Sequence, residues 1–504
     1  MVEVRGARPR PITRVARLML PILLLAVPLA TGLIAATQSW KRWVGWLCTA
    51  SLAAVLILGV VLATRVVHGR AISAFSGTLR CDALSAFMVI VIGAIGLLAT
   101  TQSVRYLDAE IVSGRGTARH ATLYAVLVQG FITTMLLAVL AGNVGVMWVA
   151  VEATTIITTF LVGHRKTRGA LEASWKYVII CSVGIALAFL GTVLVYLAAL
   201  HAGHGAHVSL QWTSLMSVSH HLDPGVMRLA LGLLVLGYGT KVGLAPMHSW
   251  LPDAHSQAPA PVSALMSGVL LTVAFYALLR FKAICDGALG TAFPRTLFVT
   301  VGLLSLIIAA SLLLTQHDYK RMLAYHSVEH MGLIALGAAA GTPLAVAAVL
   351  LHILGHGLAK AVLFLASGEI LLVEGSTEID QVRALLARRP ALGGIFAFGL
   401  VALLGLPPFS LFVSELNMLR AEVTVGLGWA AAISLICMAV IFGAVMSHGR
   451  HMLFGARTDG ESAVRTVSSV TVPLIGGLVG CAALGLLAWP LDSLLRAAAM
   501  VVVR

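Results

Sequence analysis

LGLLVLGYGTKVGLAPMHSWLPDAHSQAPAPVSALMSG, residues 231–268, decides how the rest of this chain is read. It begins as an apolar run, carries Lys241 near the end of that run, and then meets Pro246, Pro252, Pro259 and Pro261. Inside a membrane-length segment a lysine costs a few kcal/mol wherever it faces lipid, so it normally faces protein or water. Proline removes a backbone donor and interrupts a helix. A helix interrupted beside an ionisable group implies a discontinuous span with a polar site at mid-membrane depth, which points to ion movement.

Composition agrees. Apolar residues make up 59% of the 504 and charged residues 11%, with mean hydropathy +0.97. Soluble domains carry about 25% charged residues. About 14 apolar stretches approach the roughly 20 residues that cross a bilayer: 18–36, 43–66, 82–102, 121–140, 143–163, 174–199, 226–246, 260–283, 296–315, 322–341, 343–370, 391–420, 427–447 and 467–489. The expected fold is an all-α integral membrane protein of about 14 transmembrane helices. Its parts are a basic tail (1–17), helices 1–3 (18–120), a first unit of helices 4–8 (121–283), a second of helices 9–13 (294–447), and a last helix with its tail (467–504). Two five-helix units with breaks in helices 7 and 12 have the pattern of inverted repeats.

The net charge of +14 is scattered through short connections, as topology signals and lipid-headgroup contacts are, and nucleic acid is not an expected partner. Connections after spans 1, 3, 5, 9, 11 and 13 hold 16 Lys and Arg, which places both termini outside. The five arginines of the tail vote the other way, a conflict that a start at Met19 would remove. The 49 glycines fit close helix packing in lipid. Six isolated cysteines include no CxxC or Cys/His pair with metal spacing. No P-loop, dinucleotide fingerprint, zinc-protease helix or nucleophile elbow occurs. The chain therefore shows no redox or hydrolytic site of its own.

The candidate site residues are the ionisable groups within spans. Glu152, mid-span in NVGVMWVAVEATTIITTFLVG (143–163), must be protonated, paired or hydrated. It is read either as a partner whose approach and withdrawal load and unload Lys241, or as half of a structural ion pair. His352, His356 and Lys360 recur at spacing four and form one helical stripe about 12 Å long. Histidine both donates and accepts, so the stripe suits a proton wire; with lysine as its third member it does not suit a metal. Glu415 follows a second interruption at Pro407 and Pro408 and mirrors Lys241 beside Pro246. His326, Glu329 and His330 either continue the wire or sit at its wet mouth. His248 and His255 flank the first break, as a proton inlet or as helix-end caps.

At this point the chain resembles a known family. The segments TKVGLAPMHSWLPDAHSQAPAPVSALMSG, DYKRMLAYHSVEHMG, HGLAKAVLFLASG and GLPPFSLFVSE are similar to the proton-conducting antiporter-like subunits shared by respiratory complex I, Mrp-type cation/proton antiporters and group 4 nickel–iron hydrogenases. Within that family the chain is most similar to the hydrogenase-4 component F group. The resemblance implies a 14-helix fold with a hydrophilic axis, in which Glu152, Lys241, Lys360 and Glu415 carry the proton. It departs in helix 8, where several members have a lysine and this chain offers Thr272, leaving Thr272, water and the histidines to link the halves. The expected function is proton translocation in a hydrogenase-4-like, complex I-related complex of the plasma membrane. The partners would be other membrane and peripheral redox subunits, and these would hold any nickel–iron centre and iron–sulfur clusters. The alternatives are an Mrp-like cation/proton antiporter subunit and a non-pumping anchor of a redox module.

Overall fold

The computed structural model describes residues 11–69, 71–202, 209–455, 471–487 and 489–503. In chain order the helices are α1 (Pro11–Thr37), α2 (Arg42–Val66), α3 (Ala83–Val112), α4 (Ala118–Leu140), α5 (Val144–Val162), α6 (Arg168–Ala202), α7 (Trp212–Ser217) and α8 (Pro224–Val242). There follow α9 (Trp250–Gln257), α10 (Ala260–Leu265), α11 (Leu271–Leu289), α12 (Ala292–Leu313), α13 (Tyr319–Ala340) and α14 (Pro343–Glu374). The chain ends with α15 (Leu385–Arg388), α16 (Pro390–Leu403), α17 (Ser410–Thr424), α18 (Gly428–Leu453), α19 (Thr471–Leu486) and α20 (Trp489–Val502). A π-helical turn, Met266–Leu270, joins α10 to α11. One feature the all-α expectation omits is a small antiparallel hairpin, β1 (Ile72–Ala74) and β2 (Leu79–Cys81), between α2 and α3.

Among the described residues, 11 helices are long and apolar enough to cross a membrane, or up to 12 if the bent pair α19–α20 forms one span. The protein is a multi-pass integral membrane protein. Helix α13 has a span's length, but its charged and histidine residues lower its hydropathy. Burial separates centre from periphery. The most apolar windows of α14 and of the α10–α11 rod are 100% buried, whereas that of α6 is 39% buried. Trp175, Ile179, Val183 and Phe189 of α6 face outward, where lipid solvates them as well as protein would.

Local sequence fixes the helix ends. Asn143, Asp223, Asp318 and Thr342 accept backbone hydrogen bonds as N-caps, and Pro224 and Pro343 begin the helices they head. The first break begins at Gly243, whose φ of +82° ends α8. The carbonyls freed there are taken up locally. Trp250 Nε1 donates to Thr240 O (2.8 Å), and Ser263 Oγ donates to His255 O (2.8 Å). The second break, between Leu403 and Ser410, contains Pro407 and Pro408. The discontinuities expected in helices 7 and 12 are both present.

Glycine lets α6 and α8 touch. A Cβ on Gly237 would lie 2.4 Å from Ala188 N, and one on Gly184 would lie 2.6 Å from Thr240 Cβ. This close approach places Tyr177 of α6 beside Lys241 at the end of α8.

Candidate functional site

Three elements converge on Lys241, which is fully buried. Its Nζ donates to Thr155 Oγ1 of α5 (2.8 Å) and to the Tyr177 hydroxyl of α6 (2.6 Å), and lies 4.8 Å from the centre of the Tyr177 ring. The Thr155 hydroxyl in turn donates to Glu152 Oε2 (3.1 Å). Glu152 and Lys241 are thus one hydroxyl apart, and Lys241 makes no ion pair among the described residues. Glu152 is half-buried on the outer side of this group.

The second group forms where α13, α14 and α17 meet. His326 Nδ1 lies 2.6 Å from Glu329 Oε2, and the His326 and His330 rings stack at 4.8 Å. His330 Nδ1 is 2.9 Å from His352 Nε2, and His352 Nδ1 is 2.9 Å from Ser414 Oγ. His356 completes the cluster, with its ring 4.8 Å from that of His330. Glu415 adjoins Ser414, and its carboxylate rests against the second break. A Cβ on Gly405 would sit 2.1 Å from Glu415 Oε2, at a φ of +62°, so glycine alone fits there. Lys360, fully buried, donates to Leu323 O of α13. The spacing-four stripe of His352, His356 and Lys360 is therefore one wall of a three-helix polar cluster.

The donor atoms of His326, Glu329 and His330 lie within 4.8 Å of one another, as do those of His330, His352 and Glu415. A metal at the second triad would have to displace existing bonds, because both nitrogens of His352 are engaged, one with His330 and the other with Ser414. Hydrogen bonds join His330, His352 and Ser414 in one run, whereas both ring nitrogens of His356 and Nε2 of His330 have no hydrogen-bond partner among the described residues.

Between the two groups stands His255, fully buried, with neither ring nitrogen bonded to protein. Its ring stacks on Phe364 of α14 (5.3 Å, 24°) and faces Trp250 at 6.4 Å. Trp250 packs on Tyr177 at 4.9 Å, and Phe364 lies 5.9 Å from Lys360 Nζ. Thr272, the expected link, is buried but turned back on its own helix, donating to Val269 O (2.9 Å). His248 is half-buried at the break, with Nδ1 unpartnered.

Four further polar residues in or near these groups do not stand out when the sequence is read span by span. Thr155 and Ser414 look like ordinary span residues; their signal is only their position three after Glu152 and one before Glu415. Lys320, fully buried, donates to Ser256 O (2.8 Å) and Ala258 O (3.1 Å) at the C-terminal end of α9. Near it Asp253 bonds Lys176 (3.1 Å) of α6 and Arg321 (2.6 Å) in the first turn of α13. Away from the axis, Arg280 pairs with Asp82 (2.8 Å) and lies over Trp212 (4.2 Å), pinning α11 to α3 beside the hairpin.

Buried ionisable groups ranged between two broken helices of a predominantly helical membrane fold define an antiporter-like membrane subunit. The chain belongs to the NADH:quinone oxidoreductase/Mrp antiporter transmembrane family, whose profile matches residues 141–442. It is 38% identical over 340 residues to the hydrogenase-4 component F homolog of Methylacidiphilum infernorum, covering 68% of this chain and 71% of that protein. It is 31% identical over 387 residues to hydrogenase-4 component B of Escherichia coli, covering 73% of this chain but 55% of that longer protein. Its fold is similar to a chain of the membrane-bound sulfane sulfur reductase, an archaeal respiratory membrane complex (TM-score 0.85, 24% identity, 96% and 98% of the two chains). It is also similar to a chain of the Mrp complex from Dietzia (TM-score 0.82, 22% identity, 96% and 97%).

Proposed function

We propose that this chain is the proton-translocating membrane subunit of a hydrogenase-4-like, complex I-related oxidoreductase complex of the plasma membrane, driven by redox subunits that hold the metal centres. The observation that carries this reading is the state of Lys241 and Lys360. Both are wholly buried and neither makes an ion pair among the described residues. A permanent unpaired charge there serves no packing purpose and is costly. Lysine is useful in such a place when its proton comes and goes.

The chemistry follows the contacts. When Glu152 draws close through Thr155, the Lys241 ammonium is supported; when it withdraws, the proton is released towards the hydrated break. Water around His255 carries it to Lys360. The imidazoles of His356, His330 and His352 then pass it to Ser414 and Glu415. Each imidazole gains a proton at one nitrogen and gives one up at the other, so charge moves without any imidazole being consumed. Partner subunits would supply the energy by moving a charge or a helix near Glu152. The kinship with hydrogenase-4 components supports a redox-coupled complex as the setting.

The test is Lys241→Ala and Glu152→Ala in the assembled complex, with proton uptake into inverted membrane vesicles followed during donor oxidation. Protons moved per electron pair should fall in both. Uptake equal to wild type would remove these residues from the mechanism.

A further inference from the structure

Helix α17 carries a second buried carboxylate that the axis above does not use. Glu422 lies seven residues after Glu415, two helical turns, so the two share a face and stand about 10.5 Å apart along the axis. Glu422 is 1% exposed, and its Oε2 has no hydrogen-bond partner. It makes no ion pair among the described residues and caps no helix N-terminus. A carboxylate so placed costs stability and contributes nothing to packing that glutamine or leucine would not.

Its position is informative. Ala421 and Val425, on either side of it, pack against Ala340 and Ala345, which flank the Gly341 turn between α13 and α14. That turn lies at the opposite end of α13 from Asp318 and Arg321, hence at the membrane face opposite the Asp253 cluster. Between the two glutamates lies Met418, whose sulfur fills the niche left by Gly337; a Cβ there would be 2.7 Å from it. A flexible thioether can swing aside and admit water where a branched side chain would not.

We infer that Glu422 is the proton-release group of the second half. The Glu415 carboxyl gives its proton through water past Met418 to the Glu422 carboxylate, and Glu422 gives it to the aqueous face at the α13–α14 turn. One O–H bond breaks and one forms at each step, and nothing is oxidised. The inference rests on the proposed translocation function, and the experiment separates the two.

Glu422→Gln, Glu422→Asp and Lys241→Ala are each introduced into the complex. Assembly is checked by native gel, and protons moved per electron pair are measured in inverted vesicles. Glu422→Gln should assemble normally and lose proton yield by about tenfold or more, and Glu422→Asp should recover most of it. A Glu422→Gln complex with full proton yield beside a deficient Lys241→Ala overturns the release role alone. Full yield in both variants overturns the function and the inference together. Loss of assembly in both Glu422 variants makes the residue structural and also overturns the inference.

Discussion

Glu152 and Lys241 do not touch: the Thr155 hydroxyl stands between them, donating to the carboxylate at 3.1 Å and accepting from the ammonium at 2.8 Å. A direct ion pair would hold both charges in place. A single hydroxyl between them lets the pair tighten or part with a small movement of α5 against α8, because the hydroxyl rotates to serve either side. The geometry suits a variable coupling better than a packing clamp.

Thr155→Val keeps the shape of the side chain and deletes the bridge. In the proposed mechanism it should lower redox-driven proton uptake by about tenfold or more without reducing the amount of assembled complex, whereas Thr155→Ser should stay near wild type. Proton yield in inverted vesicles, normalised to assembled complex, decides it. If valine is as good as threonine, Glu152 and Lys241 communicate by another route.

His255 offers a second separation of shape from chemistry. His255→Phe preserves the stacking on Phe364 and the packing against Trp250 but removes both ring nitrogens. It should fold, assemble and lose proton yield, while His255→Gln, which retains donors and acceptors, should keep part of it. Equal yields for wild type and phenylalanine would leave the two groups connected by water alone.

The membrane fold and both helix breaks were legible because their signals are local: apolar length, proline, and a charge inside a span. Glu152, Lys241, Lys360 and Glu415 stand out by the same signal. What stayed hidden depends on which helices meet. Thr155 is one threonine among four in α5, and only the packing that brings α5, α6 and α8 together shows that it faces Lys241. The resemblance offers Thr272 as a link between the halves, but its hydroxyl satisfies its own helix, as threonine in an apolar helix commonly does. His255 shows a polar residue beside a break, but not that its ring lies between Trp250 and Phe364.

Gly237 tests the packing itself. Its missing Cβ leaves room for Ala188 N at 2.4 Å, and that atom is backbone, so it cannot turn away. Gly237→Ala should force α8 from α6 and destabilise the protein by about 1–3 kcal/mol, read as a lower melting temperature in detergent and less assembled complex. Gly232, on the same helix with open space beside it, should tolerate alanine without loss.

The Asp82–Arg280 pair gives a prediction with a pH sign. Burial opposes ionisation of Asp82, but the Arg280 guanidinium at 2.8 Å, with the Ser85 amide at 3.0 Å, outweighs it and holds the carboxyl below its ordinary value. A carboxyl lowered on folding stabilises the protein fully above the unfolded pKa, about 3.9, and this contribution fades as pH falls through the lower folded value. Between pH 5 and 8 the pair should therefore contribute no pH dependence to the melting temperature in detergent. Arg280→Ala leaves Asp82 buried without its counter-ion and should cost about 3–5 kcal/mol. In that variant the penalty attaches to the charged carboxylate, so stability should rise as pH is lowered towards 4, opposite to the wild type. Asp82→Asn in the Arg280→Met background removes both charges and should restore most of the loss. Melting curves of the three proteins across this range test the pair directly; an Arg280→Ala protein with wild-type stability and slope would show that Asp82 is solvated after all.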